Sequence, residues 1–473
     1  MVLNRIVAFS EKTSSIIQNR IKLENVFVCT GLVFGLMFIY FTPPFQVADE
    51  PRHFARAYQL AERGLSACRL IPARDSLPLS FVQVDKQVSY LIGKEETKIS
   101  RTRINQLMEI PLRPEQRAFY ANVPNYSPVA YLPQIIIIAI LRVSESSIVT
   151  MMYWARLMGL LAWLSISFIA LRWLPGAKLI FFVIALLPMT LAQASSTSAD
   201  GMTIALAFLT TAYYFRLAYS KQQVTITQIL LGVVLIVALT ATKFVYGTLL
   251  LLHLLIPKSK FGSPTLFWAS FVSTGTIAVI SLILLFVSLY SNTPANSMSS
   301  SVAGGPVRFP QVDFLLANPL SYPKILIATV SKHALLYGLS FVGVFGWLDT
   351  VMPLYTYVIA YVMLLAVIVC NGDGQLPINW KHKILFLFVF FLTLTGLLFA
   401  VSSDLRENPK ASFVINGIQG RYFLPVAMLL ALVLYNHHSA FKRFRPAVFV
   451  IALLTIVYML SVANYTIFMR YFI

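Results

Sequence analysis

The sequence predicts an all-α polytopic membrane protein with about 11 transmembrane helices (range 11–13). Three observations carry this. Residues of the hydrophobic set make up 58 % of the chain and charged residues only 12 %, where a soluble chain of this length carries about a quarter charged. Apolar runs recur almost to the last of the 473 residues, which excludes a globule with one anchor. Runs such as LILLFVSLY and ILFLFVFFLTLTGLLFA do not alternate, which excludes a transmembrane barrel.

Taken in order, residues 1–25 are polar and basic and read as a cytoplasmic N-terminal segment. They are not a cleavable signal, because the first long apolar run ends in FTPPF and not in a small-residue cleavage site. Residues 26–42 are the first crossing. Lys12, Arg20 and Lys22 before it set its start in the cytoplasm. Residues 43–149 form a large external loop with juxtamembrane helices. Half of the 18 acidic residues fall within 43–127, and LIPARDSLPL and MEIPLRPEQ punctuate it. The run YLPQIIIIAIL at 131–141 is too short for a comfortable crossing. Laying it in the interface puts Arg172, Lys178, Arg216, Lys221, Lys258 and Lys260 on the cytoplasmic side.

Transmembrane helices 2–7 then occupy 150–290, at 150–171, 178–194, 201–219, 225–242, 244–256 and 265–290. Residues 291–350 are an external loop with an interfacial or re-entrant segment. In this assignment 324–345, with Lys332 and His333 near its middle, dips or lies flat. Helices 8–11 occupy 351–473, at 351–370, 383–402, 422–436 and 446–468, leaving Lys381, Lys383, Lys442, Arg443 and Arg445 cytoplasmic and the C-terminus outside. Letting both exceptional segments cross gives thirteen spans and worse charges between them. No compelling internal repeat of the kind secondary transporters carry is visible.

The net charge of +19 would point to nucleic acid in a soluble protein. In this chain it reflects cytoplasmic flanks and contact with anionic phosphate, in phospholipid headgroups or in a substrate, and no nucleic-acid partner is expected. Cys29, Cys68 and Cys370 share no spacing that a metal would use and imply no disulfide framework. P-loop, zinc-protease and Rossmann fingerprints do not occur.

Five polar groupings fall on the outward side of this topology. In PPFQVADEPRHFARAYQLAERG, Pro51 suits a first helical turn, with Glu50 an imperfect cap. Phe54, Ala57, Tyr58, Ala61 and Leu65 recur at helical spacing with Arg52, Arg56 and Arg63 opposite, which predicts an amphipathic surface helix. The helix dipole favours ionised Asp49 at its start. Such a carboxylate can accept a hydroxyl or amine proton or hold a divalent cation, although acidic residues at helix starts are also ordinary. His53 reads as a structural or substrate-contact residue, no second histidine being near it.

In NVPNYSPVAYLP, Tyr126 and Tyr131 sit at headgroup level, as an aromatic belt would. SSTSADG places Asp200 at the outer end of a span, where Ser198 or Asp200 caps the helix and metal or substrate contact is the alternative. LTATKFVYG sets Lys243 and Tyr246 in an outer turn, for snorkelling or for anchoring phosphate. NGIQGRYFLP brings Arg421 and Tyr422 to the start of a span. The Arg421 fork suits phosphate or pyrophosphate, and an ion pair with Asp404 or Glu407 is the structural alternative.

Together PPFQVADEPRHFARAYQLAERG, ARL at 155–157, SSTSAD, TKFVYG, LSYP, GWLD and GIQGRYFLP resemble an uncharacterised family of bacterial polytopic membrane proteins related to the GT-C glycosyltransferases. The resemblance covers most of the chain as an ordered set. It implies a GT-C-like fold whose first external loop carries juxtamembrane helices, and sugar donors linked to polyprenyl phosphate or pyrophosphate. It also implies a catalytic acidic residue early in that loop, which falls on Asp49 with Glu50 beside it. Many relatives read Pro-Asp-Glu-Pro where this chain has Ala48-Asp49-Glu50-Pro51. The outer-face basic residues of the superfamily imply phosphate roles for Lys243 and Arg421.

The expected function is therefore inverting sugar transfer from a polyprenyl-phosphate-linked donor to an envelope glycan, lipid or protein acceptor. The expected site faces the periplasm or cell exterior of a bacterial inner or cytoplasmic membrane. Asp49 and Glu50 are the expected catalytic residues. His53, Arg56, Tyr126, Lys243, Tyr246, Arg421 and Tyr422 are expected to bind substrate or phosphate. Asp49 and Asp200 could hold Mg²⁺ or Mn²⁺ or touch the acceptor, though no metal cage is evident. A transporter, flippase or ligase for lipid-linked saccharides, or a noncatalytic envelope-assembly scaffold, would use the same face without a base.

Overall fold

A computed structural model describes residues 22–63, 74–121, 126–290, 320–370, 376–404, 414–435 and 444–473. The first helix, α1, is Leu23–Phe41, and a tight turn leads to α2, Glu50–Arg63. Strands β1 (Arg74–Pro78) and β2 (Arg117–Ala121) pair antiparallel around α3 (Leu79–Val88) and α4 (Arg101–Met108). A 3₁₀ turn, Pro128–Tyr131, opens α5 (Leu132–Val143), and α6 (Ile148–Trp173) follows. Next come α7 (Lys178–Ala185), α8 (Pro188–Ala194), α9 (Ala199–Tyr219), α10 (Ile226–Thr242), a 3₁₀ segment Phe244–Leu255, and α11 (Pro264–Tyr290). The remainder is α12 (Ser321–Val342), a minimal hairpin of β3 (Val344–Phe345) and β4 (Thr350–Val351), α13 (Leu354–Cys370), α14 (Trp380–Asp404), a 3₁₀ segment Gly420–Val426 running into α15 (Ala427–Leu434), and α16 (Arg445–Phe472).

Among the described residues, α1, α6, α11, α12, α14 and α16 are each long and apolar enough to cross a membrane. The chain is a mostly helical membrane protein. Local chemistry sets where many helices begin. The Ser147 hydroxyl accepts from the amide of Thr150, that of Ser198 from Asp200, and Thr225 forms a reciprocal cap with Gln228. The expected span 178–194 is divided because Pro188 cannot continue a helix that began at Lys178. It starts α8 instead, where its missing N–H costs nothing.

One expectation needs correction, a second is narrowed, and one feature is new. The helix α2 is not a surface helix. Pro51 and residues 53–60 are buried, Arg56 at 2 % exposure included, while Arg52 and Arg63 are exposed. The segment 126–143 and strand β2 lie against it and cover Arg56 together with the apolar face. Leu65 lies outside the described residues. The segment expected to dip or lie flat at 324–345 is one uninterrupted 22-residue helix, α12, which rules out a broken re-entrant dip and leaves lying flat; by length and composition alone it would also suit a crossing. Lys332 is exposed and does not interrupt it. The two small antiparallel ribbons were not foreseen at all. The run at 132–143, by contrast, is a 12-residue helix, shorter than the ~20 residues of a crossing. It exposes Leu132, Ile136, Ile140 and Val143 along one stripe and buries Gln134 and Ile138 opposite.

The loop that carries Arg421 is fixed against α12. The amide of Ile415 donates to the Thr329 hydroxyl (3.0 Å) and that of Gly420 to the Ser340 hydroxyl (2.7 Å). A β-carbon at Gly420 would fall 2.0 Å from the Tyr337 carbonyl oxygen and 2.3 Å from the Phe341 amide nitrogen, both rigid backbone atoms. Gly420→Val should therefore lower the unfolding temperature in detergent. The expected loss is at least the ~1–3 kcal/mol typical of overpacking. Gly396→Ala, whose nearest new neighbour would be 3.5 Å away, should not lower it.

Candidate functional site

The turn between α1 and α2 is shaped before any charge is placed on it. Phe45 and Asp49 both adopt left-handed backbone (φ 61° and 64°), which is costly for Phe and tolerated by Asp. Contacts from distant segments hold it there. The Ala48 amide donates to the Gly346 carbonyl (3.2 Å), Trp347 Nε1 to the Phe45 carbonyl (3.3 Å), and Gln46 Nε2 to the Val88 carbonyl (3.1 Å). The Asp49 carbonyl then accepts from the amides of Arg52 and His53, which begins α2.

Consecutive in sequence, Asp49 and Glu50 have opposite environments. Glu50 has no exposed surface. Arg156 of α6 grips it twice, Nε to Oε1 at 2.8 Å and Nη2 to Oε2 at 2.5 Å, and the Thr197 amide adds a bond to Oε1 at 3.1 Å. The same guanidinium donates to the carbonyls of Thr42 (2.7 Å) and Pro43 (3.0 Å), closing the C-terminal end of α1. The expectation that Glu50 acts beside Asp49 is corrected in its geometry: Glu50 points into the bundle and joins three segments. The Asp49 side chain keeps 40 % of its surface exposed, with Oδ2 3.6 Å from Arg421 Nη2.

Around Asp49 the chain gathers a buried charge cluster. Asp200, in the first turn of α9, meets Lys243 Nζ through Oδ1 and lies 3.4 Å from Arg421 Nε through Oδ2. Lys243 stands where α10 gives way to the 3₁₀ segment 244–255, with Nζ 4.4 Å from the Tyr422 ring centre and 5.7 Å from that of Tyr126. The Tyr246 hydroxyl donates to the Tyr422 carbonyl (2.8 Å) and fixes that wall. Arg421 is 4 % exposed. Its other neighbours are Gln193 Oε1 at 3.4 Å and the Tyr422 hydroxyl at 3.5 Å. Every acceptor around this guanidinium thus stands beyond the 2.7–2.9 Å of a good charge-assisted bond. Its Nε, near Asp200 in distance, is not aligned to bond it and has no hydrogen-bond partner among the described residues.

A second layer lies on α2. His53 Nδ1 is hydrogen-bonded to the Tyr131 hydroxyl at 2.6 Å, and its ring packs edge-on to Tyr126. Arg56 donates through Nε and Nη2 to the Tyr126 carbonyl (3.3 Å each). Burial pushes the His53 imidazole down to about 4, against the partial opposition of Asp200 and Asp49. The ring is therefore neutral at pH 7. Burial likewise pushes the Tyr126 phenol up to about 12.

The residues expected to bind phosphate therefore fall in one neighbourhood: Lys243, Tyr246, Arg421 and Tyr422 with Asp200 and Asp49, and His53, Arg56 and Tyr126 beside them. The Asp404 side chain and Glu407, the alternative partners for Arg421, lie outside the described residues. Sequence reasoning missed Arg156, Gln193 and the role of Tyr131. Arg156 carried a signal, because an arginine inside an apolar span needs a partner. Gln193 carried none. The described residues present no preformed cage for a divalent cation. Among the described residues no three carboxylate, histidine or cysteine groups gather, and both Asp200 oxygens already face cations.

Arg421 also lines one of two hollows. One, between α1, α8, α16 and the β3–β4 hairpin, is lined by Phe38, Met189, Phe345 and Ile467, with Ser195 and Arg421 as polar wall. The other, of about 160 Å³, lies between α10 and α11 and is lined by Val237, Thr240, Ala278 and Leu282. Thr240 is three residues from Lys243 along the chain.

Residues 32–430 match the family model described as "Predicted membrane protein (DUF2142)". The chain belongs to this family. The DUF2142 match includes the acidic turn, Arg156, Asp200, Lys243 and Arg421, and stops before α16. No curated protein and no solved structure matches the chain.

Two outcomes follow. Glu50→Gln leaves Arg156 without its counter-charge and should cost about 3–5 kcal/mol of stability, read as a loss of folded protein in detergent. His53 has its folded-state value depressed below the free value of about 6.5. Its contribution is complete above that pH and lost as pH falls through about 4. Acidification from 6.5 to 4 should therefore remove up to about 3 kcal/mol, and His53→Gln should flatten that part of the stability–pH curve.

Proposed function

We propose that this membrane protein is a glycosyltransferase that moves a sugar from a polyprenyl-phosphate-linked donor to a hydroxyl of an envelope acceptor, with inversion, on the outer face of the bacterial inner membrane. The observation that carries the reading is the state of Arg421: a buried guanidinium with four acceptors at 3.4–3.6 Å and an unbonded Nε. Buried donors are normally satisfied. A phosphate oxygen is the acceptor a planar fork suits best, and Lys243, with three donors of which Asp200 takes one, stands on the other side of Asp200.

In this reading the acceptor oxygen forms its bond to the anomeric carbon as the sugar–phosphate C–O bond breaks. The bonding pair leaves on the phosphate, beside Arg421 and Lys243. The acceptor proton passes to Asp49, the carboxylate of the pair that remains reachable. A carboxylate is a weak base, so it acts once oxocarbenium character has made the attacking hydroxyl acidic. Fixed donors toward the departing phosphate supply the electrostatic part of the catalysis. The resemblance of its motifs to a membrane-protein family related to the GT-C glycosyltransferases is in keeping with the same assignment.

The topology that goes with it has eleven crossings, a cytoplasmic N-terminus and α12 lying along the outer side. Two contacts favour that placement. Gly343 at the end of α12 runs into the hairpin that holds Ala48, and Tyr322 at its start donates to the Thr395 carbonyl (2.6 Å) in the second half of α14. The other end of α14 carries His382, 3.1 Å from Tyr219 at the far end of α9.

Asp49→Asn in reconstituted vesicles should reduce sugar transfer from a radiolabelled lipid-linked donor by a hundredfold or more, with donor binding retained. Equal product from the variant would remove Asp49 from catalysis. Lipid movement without any transfer would support a transporter.

A further inference from the structure

The hollow between α10 and α11 exists because small side chains meet there. Thr240 and Ala241, near the end of α10, share it with Ala278 and Ser281, which stand three residues apart on one face of α11. None of the residues that line it is charged. Both helices carry exposed apolar residues, Val234 on one and Ile283 on the other. At the hollow itself Val237, Ala241, Ser281 and Leu282 are half-buried, so it is a notch with an open edge and not a sealed void. Its volume of about 160 Å³ is that of a cavity which takes up one benzene molecule, ~150 Å³.

Position and chemistry point to its occupant. Lys243 follows Thr240 by less than one helical turn, and Ser127, which also lines the hollow, follows Tyr126, whose ring centre is 5.7 Å from Lys243 Nζ. The Ser127 hydroxyl is already engaged by the Val129 amide (3.2 Å). That of Thr240 is buried and has no hydrogen-bond partner among the described residues. We infer that this hollow seats the first isoprene unit of a lipid whose phosphate is held by Lys243. This rests on the reading of Lys243 and Arg421 as the phosphate end of a lipid-donor site and deepens it, by naming the residues that recognise the lipid. An isoprene unit is comparable in size to benzene and uncharged, and it joins its phosphate through an ester oxygen that can accept from the Thr240 hydroxyl. In a phospholipid the group next to the phosphate is glycerol with its carboxylic esters. Those polar groups would lose water in an apolar notch that returns them one hydroxyl. A prenyl phosphate turns to hydrocarbon at once, and its methyl branch occupies width that a straight chain leaves empty.

Binding of geranyl phosphate and octyl phosphate to the purified full-length chain tests this, because the two share a headgroup and a main-chain length and differ in branching and unsaturation. Geranyl phosphate should bind at least about fourfold more tightly, the worth of one buried methyl branch. Ala278→Leu, which fills the hollow, should weaken geranyl phosphate tenfold or more and erase the preference. Its unfolding temperature without ligand should not fall, since the new side chain enters empty space. Ala241→Val, a smaller intrusion, should act in the same direction and guards against misfolding of the first variant. Equal binding of the two phosphates by the unaltered chain would overturn the inference, because the hollow would then admit any hydrocarbon chain, those of the bilayer included. A preference that survives Ala278→Leu would overturn it as well. Sugar transfer from a radiolabelled donor separates this from the transfer reading. Transfer that proceeds with no preference between the two phosphates overturns the inference alone, whereas a preference without any transfer overturns the transfer reading alone.

Discussion

An arginine cannot be left alone among apolar helices, and Arg156, fully buried in α6, is the constraint from which the rest of the site follows. Its guanidinium is satisfied by one carboxylate and two carbonyls, and those groups belong to the end of α1 and the start of α2. The first helix must therefore stop where it does, and the chain must turn at once into α2. Glu50 also accepts from Thr197, so the loop preceding α9 is drawn to the same point, and with it Asp200. With Glu50 turned inward and left-handed backbone at Asp49, the Asp49 carboxylate is left on the opposite, accessible side. One buried pair thus gives two adjacent acids different work.

The hairpin at 344–351 meets this arrangement from the other end of the chain. Asp349 accepts from the amides of Gly93 and Trp347 and pairs with Arg470 at 3.0 Å, while the Lys98 ammonium donates to the carbonyls of Met469 and Arg470 at the end of α16. The segment carrying Gly93 and Lys98, the hairpin and the last helix are fastened together, and through the Gly346 carbonyl they hold Ala48. Position is fixed by backbone bonds and by the Glu50–Arg156 and Asp349–Arg470 pairs, and the charges of Asp49, Asp200, Lys243 and Arg421 are left to one another. Such division leaves Arg421 rigidly placed yet poorly bonded, which is the condition for a preorganised anion site.

Much of this was legible in the sequence, for specific reasons. Apolar runs and their basic flanks disclosed the membrane class and most helix positions, since hydropathy is a property of the segment itself. Pro-Pro before an acidic pair, a lysine between two apolar runs and an arginine after paired glycines marked Asp49, Lys243 and Arg421, because polar residues are conspicuous in an apolar chain. What failed depended on partners. Whether α2 lies on a surface or inside depends on segments 117–121 and 126–143, far along the chain. Glu50 looked equivalent to Asp49 because only the fold reveals that Arg156 claims it. Gln193 and Tyr131 looked like ordinary helix and belt residues. The ribbons were invisible because strands of five and two residues leave no periodicity above the noise of an apolar chain.

The central claim is that Arg421 and Lys243 form, with Asp49 beside them, the phosphate end of a lipid-donor site. A density map of the full chain in a lipid nanodisc with a bound prenyl monophosphoryl sugar tests it most directly. The account requires the phosphate within hydrogen-bond reach of both Arg421 and Lys243, with the Asp49 carboxylate facing the anomeric carbon. A phosphate bound elsewhere, while Arg421 tightens onto Gln193 and Asp200 alone, would contradict it.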